Sequence, residues 1–292
     1  GIDAGDYSGR SVSSAGDVNG DGIDDVIIGA RSAGPNGPYS GESYVVFGST
    51  DGFASSLGLS ELNGSNGFRL DGIDPIDVSG SSVSSAGDVN GDGIDDVIIG
   101  AVSADPNGAI SAGEAYVVFG STSSFPAAFQ LSSLDGTNGF ILEADVGALE
   151  TGSSVSSAGD VNGDGIDDVI VGSPGASPNG IAAAGESYVV FGSTAGNSSS
   201  VQLLSLDGTD GFRIGGFDAS DQSGRTVSSA GDLNGDGIDD IVIAAPQAAP
   251  NGINSGETYV VFGTTGAFPP SLSLSDLDGN NGFRLAGIEF DD

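Results

Sequence analysis

The run Asp17-Val-Asn-Gly-Asp-Gly-Ile-Asp-Asp25 sets the reading of this chain, because its pattern returns at Asp88, Asp160 and Asp232. The spacings are 71, 72 and 72 residues. Each copy has oxygen-bearing side chains at positions 1, 3, 5 and 9 and a glycine at 6. Alternating carboxylates and an amide on a short loop, with a main-chain carbonyl from position 7, are how a hard cation such as calcium is caged. The expected ligands are Asp17, Asn19, Asp21, Ile23 and Asp25, then Asp88, Asn90, Asp92, Ile94 and Asp96. The later copies supply Asp160, Asn162, Asp164, Ile166 and Asp168, then Asp232, Asn234, Asp236, Ile238 and Asp240. The isoleucines act by carbonyl alone, and Asp24 at position 8 should point away.

About four Ca²⁺, one per repeat, are therefore expected. Magnesium fits less well, since it demands a tighter octahedron and holds its waters. An EF-hand would need Glu at position 12, where Ile28 stands in an apolar run. Metal-free Asp/Asn/Gly turns are the plain alternative, but three clustered carboxylates per loop would repel one another without a cation.

A period near 72 overrides the one or two domains that 292 residues suggest, because stacked repeats share one core. The chain reads as a single repeat domain, 1–292, with units 1–72, 73–144, 145–216 and 217–292. Four strand signals recur in each unit. They are Ser11–Ala15, of small side chains; Asp25–Gly29, a continuous apolar run; Ser43–Phe47; and Gly67–Leu70. Leu59 and Leu62, repeated as Leu131/Leu134, Leu203/Leu206 and Leu274/Leu277, suggest one helical turn before the last strand. Four short strands per unit predict a small antiparallel sheet, and radial repetition of such sheets is a β-propeller. Small residues suit the crowded first strand; a solenoid is the architectural alternative.

The net charge of −35 comes from 41 acids against six arginines, with no lysine. Nucleic acid and anionic lipid are poor partners, since both need a basic footprint. Four bound Ca²⁺ would bring −35 to −27. Cysteine and histidine are absent, so disulfides, zinc sites, thiol nucleophiles and imidazole bases are excluded. No apolar run is long enough to span a membrane and no signal peptide is evident. Gly1 opens in mid-repeat, matching Gly72, so the chain reads as a mature fragment or an excised part of something longer.

These residues resemble the FG-GAP repeats that build the propeller head of integrin α subunits. Phe47-Gly48, Phe119-Gly120, Phe191-Gly192 and Phe262-Gly263 match the "FG". Gly172-Ser-Pro174 and Ala244-Ala-Pro246 match the "GAP", while Gly29-Ala-Arg31 and Gly100-Ala-Val102 keep two of its three positions. The resemblance covers all four units, in the style of bacterial and cyanobacterial surface proteins. It implies an all-β propeller of four FG-GAP-type blades, either whole or as part of a larger ring or assembly. Such heads usually have seven blades, and no blade shared between the chain ends is evident here. A four-bladed ring sealed between units 1 and 4, a fragment of a larger ring, and an assembly completed by another chain all stay open.

Catalysis has little to work with, because the acid–base groups are carboxylates and tyrosines, every recurrent acid has a structural explanation and no unique paired set stands out; no catalytic residue is assigned. Glu42, Glu114, Glu186 and Glu257 open the third strand and should cap turns or meet solvent. The loops bearing Asp3/Asp6, Asp74/Asp77 and Asp218/Asp221 read as turns or weak further cation sites, and unit 3 alone breaks this pattern, at Glu143–Glu150. The expected function is a calcium-binding extracellular or cell-surface module for adhesion or recognition of a protein or glycan ligand. The alternative is a calcium-stabilised building block of a surface layer, filament or matrix, whose partners are copies of itself.

Overall fold

Each repeat opens on a strand of small residues: Ser11–Gly16, Ser79–Gly87, Ser154–Gly159 and Thr226–Gly231. The computed structural model describes residues 2–196 and 198–288. In it these four first strands pack on one another in chain order. Serine and alanine allow that approach, and the hydroxyls bond across it. Ser11 Oγ donates to the Gly80 carbonyl at 3.0 Å, and Ser82 Oγ to the Gly152 carbonyl at 2.7 Å.

After the metal-type loop the second strand returns antiparallel: Asp25–Ala30, Asp96–Ala101, Asp168–Ser173 and Asp240–Ala245. The third strands are Glu42–Val46, Glu114–Val118, Glu186–Val190 and Glu257–Val261. The fourth are Gly67–Asp71, Gly139–Glu143, Gly211–Gly215 and Gly282–Ala286. Every unit is thus an antiparallel meander, and the described chain is all-β. The leucine pairs sit where a helical turn was expected, on 3₁₀ turns beginning at Leu59, Leu131, Leu203 and Leu274. Leu62, Leu131, Leu134, Leu203, Leu206 and Leu274 are buried.

The four-stranded unit read from the sequence needs one correction. Three of the sheets carry a fifth strand, parallel to the fourth and lent by the following repeat: Ala128–Gln130, Ser200–Gln202 and Ser271–Ser273. The loan satisfies main-chain groups on an otherwise open edge. It also seats an aromatic ring: Phe125 of unit 2 stacks on Phe68 of unit 1, centroids 4.1 Å apart, and Phe268 on Phe212 at 4.2 Å.

The core lies between units. Ile27, Val45, Phe68 and Leu70 of the first sheet pack against Val97, Ile99, Tyr116 and Val118 of the second. Equivalent residues make the next two interfaces.

The outer faces of units 1 and 4 have no such cover. Among the described residues no comparable packing joins Thr226–Gly231 to Ser11–Gly16, so the sealed four-unit ring, one of the three closures left open, is not made. Val12 and Val26 of unit 1 are 65 and 46% exposed, and Leu285 of unit 4 is 54% exposed. Their counterparts Val83, Val97 and Leu70 are buried by a neighbouring unit. Among the described residues the fourth sheet also lacks a fifth strand. Phe53, the counterpart of Phe125 in unit 1, stays 64% exposed.

Internal and terminal faces should therefore differ in stability. Phe68→Ala empties a fully buried ring site and should cost about 3–5 kcal/mol, whereas Phe283→Ala, on the uncovered face, should cost less than half of that. Chemical denaturation of the two variants gives the comparison; equal losses would contradict an uncovered unit 4.

Candidate metal-binding loops

Each loop is wound by its own side chains. In the first, Asp17 accepts from the Asp21 amide at 3.0 Å (Oδ1) and the Gly22 amide at 2.7 Å (Oδ2). Asn19 Oδ1 accepts from the Asp21 amide at 2.8 Å, and Asp21 Oδ1 from the Ile23 amide at 2.9 Å. The bonds recur around Asp88, Asp160 and Asp232. Short polar side chains that bond main-chain amides a few residues on are the ordinary cause of such a turn.

Position 9 is a different device. Asp25 is buried, and its carboxylate accepts from Val18 N at 3.0 Å and Gly48 N at 2.8 Å. Asp96, Asp168 and Asp240 repeat it with Val89/Gly120, Val161/Gly192 and Leu233/Gly263. The glycine of each Phe-Gly pair is the far end of this clamp. A Cβ on Gly48 would stand 2.5 Å from Ile23 Cγ2 and 2.6 Å from the Asp24 carbonyl oxygen, so only glycine brings its amide in.

Burial drives the pKa of this aspartate up, to about 6 for Asp25 and about 8 for Asp96 and Asp168. Two amide bonds oppose the rise, and the charges at positions 1 and 5 add to it. Asp240 shifts the same way, with burial again the main cause.

Position 8 points away from its own loop, as its place in the motif suggests, but it lands on the neighbour. Asp95 Oδ2 accepts from Asp17 N at 2.8 Å, Asp167 Oδ2 from Asp88 N at 2.9 Å, and Asp239 Oδ2 from Asp160 N at 3.0 Å. The Asp95 amide answers by donating to the Asp17 carbonyl at 3.3 Å. Successive loops are therefore latched together. The paired aspartates closing every motif were the available sign of this second role.

The donor set suits a hard cation in kind: oxygen only, with no arginine within 4.0 Å of any loop acid among the described residues. The oxygens that hold amides retain further acceptor capacity. In this geometry no three acidic side chains of the described residues converge as a ready ligand group.

Of the recurrent glutamates Glu42, Glu186 and Glu257 are buried and Glu114 is half-buried; none is a solvent-facing side chain. Each receives the hydroxyl of the tyrosine two residues on: Tyr44, Tyr116 at 2.7 Å, Tyr188 at 3.0 Å and Tyr259. Arg69, Arg213 and Arg284 lie 3.7, 4.0 and 3.4 Å from Glu42, Glu186 and Glu257. Unit 2 has Ile141 in place of that arginine, and Glu114 is pushed up to about 7 by burial, with Asp77 and Glu143 adding to the rise. These glutamates serve their own sheets.

Comparison with known proteins agrees with this geometry. The FG-GAP repeat family matches residues 8–46, 79–118, 151–190 and 223–261, more than half of the chain. The phosphatidylinositol-glycan-specific phospholipase D of Dictyostelium discoideum is 27% identical over 66% of this chain and 21% of its own length. The Homo sapiens protein of that name is 30% identical over 65% of this chain and 20% of its own length. Integrin alpha pat-2 of Caenorhabditis elegans is 40% identical over 32% of this chain and 7% of its own length. The chain thus spans about a fifth or less of these relatives. Among the described residues no helix is long and apolar enough to cross a membrane.

The raised carboxyls set a pH dependence. A group held above its unfolded pKa of about 4 adds stability below that pH, and loses it as pH rises through the folded value. In chelator, stability should therefore fall from about pH 4 to about pH 8. Urea melts across that window check it; stability rising with pH in chelator would contradict the buried aspartates.

Proposed function

The chain belongs to the FG-GAP repeat family, and on that footing we propose that it is a calcium-binding extracellular recognition module of β-propeller type. The observation that carries the reading is the fourfold loop with its buried, unpaired aspartate. A desolvated carboxylate beside two further acids is unfavourable without a positive charge, and a divalent cation supplies it. Asp17, Asn19 and Asp21 would hold the ion from the loop, with the Ile23 carbonyl and the Asp25 carboxylate beneath it, and likewise in the other units. Small turns of the position 1 and 5 side chains would draw the acids together. The cation would stiffen the turn between first and second strands, and the latch at position 8 would pass that order to the next loop. Extracellular calcium levels suit sites of this kind. The phospholipase activity named for the relatives is not assigned to this chain, and we propose no catalysis.

A second reading, self-association into a surface layer or filament, is favoured by the uncovered ends. Unit 4 presents the face that units 1 to 3 each give to a successor, and unit 1 presents the face that units 2 to 4 give to a predecessor. Further repeats completing a larger ring would cover the same faces.

Calorimetric titration should show about four calcium sites. At a free concentration about 100 times Kd, each site adds roughly 2.7 kcal/mol of stability. Chelation should lower Tm substantially, and Asp88→Ala should remove one site. No heat on titration, together with an unchanged melting curve in chelator, would sink the calcium reading. Light scattering decides the second reading. Val26→Asp and Leu285→Asp should each abolish association of the chain, and a monomer at every concentration of the unaltered protein would discard it.

A further inference from the structure

The six arginines fall into two sets of three. Arg69, Arg213 and Arg284 sit on fourth strands against the recurrent glutamates. Arg10, Arg31 and Arg225 instead line one depression of about 620 Å³, together with Glu150. Four serines and Val102 complete its wall, and all four units contribute to it.

This concentration of positive charge runs against the composition. With 41 acids available, an arginine placed anywhere on the surface has carboxylates to meet. Among the described residues Arg10 and Arg31 nonetheless have none within 4.0 Å, and Arg225 has only Glu150, at 3.6 Å. The positions are also where the repeat is broken. Ser81 and Ser153 stand in units 2 and 3 where units 1 and 4 have Arg10 and Arg225. Arg31 is replaced by Val102, Pro174 and Pro246, and Glu150 belongs to the stretch in which unit 3 departs from the others. The loop acids and the glutamate–tyrosine pairs that hold each unit together are the same in all four. The residues of the depression differ, and they meet in one place.

We propose that this depression binds an acidic sugar, a uronate or sulfated residue of a glycan. Guanidinium groups pair bidentately with carboxylate or sulfate, and the serine hydroxyls suit the sugar's own. The size is that of a small-ligand site, and its polar wall, without aromatic rings, disfavours an apolar guest, while its serines favour a hydroxyl-rich one. Glu150 holds Arg225 and leaves Arg10 and Arg31 for the anion. The inference rests on the recognition reading, but not on calcium. Arg10 immediately precedes Ser11, and the loop follows Gly16 at the other end of the same strand, about 20 Å away at ~3.3 Å per residue.

The test is titration of the chain, at saturating calcium, with a hyaluronan tetrasaccharide and with neutral cellotetraose. The acidic sugar should bind, more weakly as salt rises, and the neutral one should not. Arg10→Ser and Arg225→Ser install residues that units 2 and 3 already carry at these positions, so the sheets should be undisturbed. Each should weaken binding about tenfold, Arg10→Ser by removing a partner of the anion and Arg225→Ser by leaving the Glu150 charge unneutralised in the depression. Calcium titration of the same variants should be unchanged, so failure of this site and failure of the loops read separately. No binding, equal binding of the neutral sugar, or full affinity in the double variant would overturn the proposal. Equal displacement by sodium sulfate at the sugar's own concentration would mean an adventitious anion only, and would overturn it too.

Discussion

The structure depends on one buried carboxylate per repeat. Asp25, Asp96, Asp168 and Asp240 each accept an amide from the start of their loop and another from the glycine after the third strand. The two ends of the loop and the chain just beyond the third strand thus meet at one side chain. Both carboxyl oxygens are used, and leaving either amide buried without a partner would be costly. The Phe-Gly pair is best understood as the partner of this aspartate. Phenylalanine packs the sheet, and glycine lets the amide reach the carboxylate. The family's signature dipeptide and the acidic loop are two ends of one clamp.

Around that clamp, adjacent units are joined by three kinds of contact: serine hydroxyls across the first strands, an apolar layer between sheets, and a lent strand at the outer edge. The position-8 aspartate adds a fourth. None is complete within one repeat, which is why a unit of about 72 residues is not an independent domain. The same incompleteness explains why the two terminal faces differ from those inside.

Much of this was legible in the residues. Period, loop and strand order follow from a motif repeated without loss of a ligand position, and the small first strand announced close packing. The lent strand was not legible, because Ala128–Gln130 is only three residues long and shows no alternation. Its strand character comes wholly from the edge it meets. The recurrent glutamates were assigned to solvent or turns because charge ordinarily marks exposure. Tyrosine two residues on, the same side of a strand, was the missed cue to burial. The arginine depression could not be read at all, since Arg10, Arg31 and Arg225 lie far apart in sequence and only the packing of four units unites them. A ring sealed between units 1 and 4 was one of the closures considered, and the geometry does not make it.

The lent strand has a temporal consequence. Because each of the first three sheets borrows its last strand from the repeat that follows, a unit leaving the ribosome is unfinished until the next has emerged. Maturation would then run as a zipper from the amino end, always one step behind synthesis. Within such a scheme the most recently made unit is the adhesive one, its edge unpaired and its apolar face bare. A nascent chain would carry that exposed edge along with it, handing it forward at each repeat rather than burying it once.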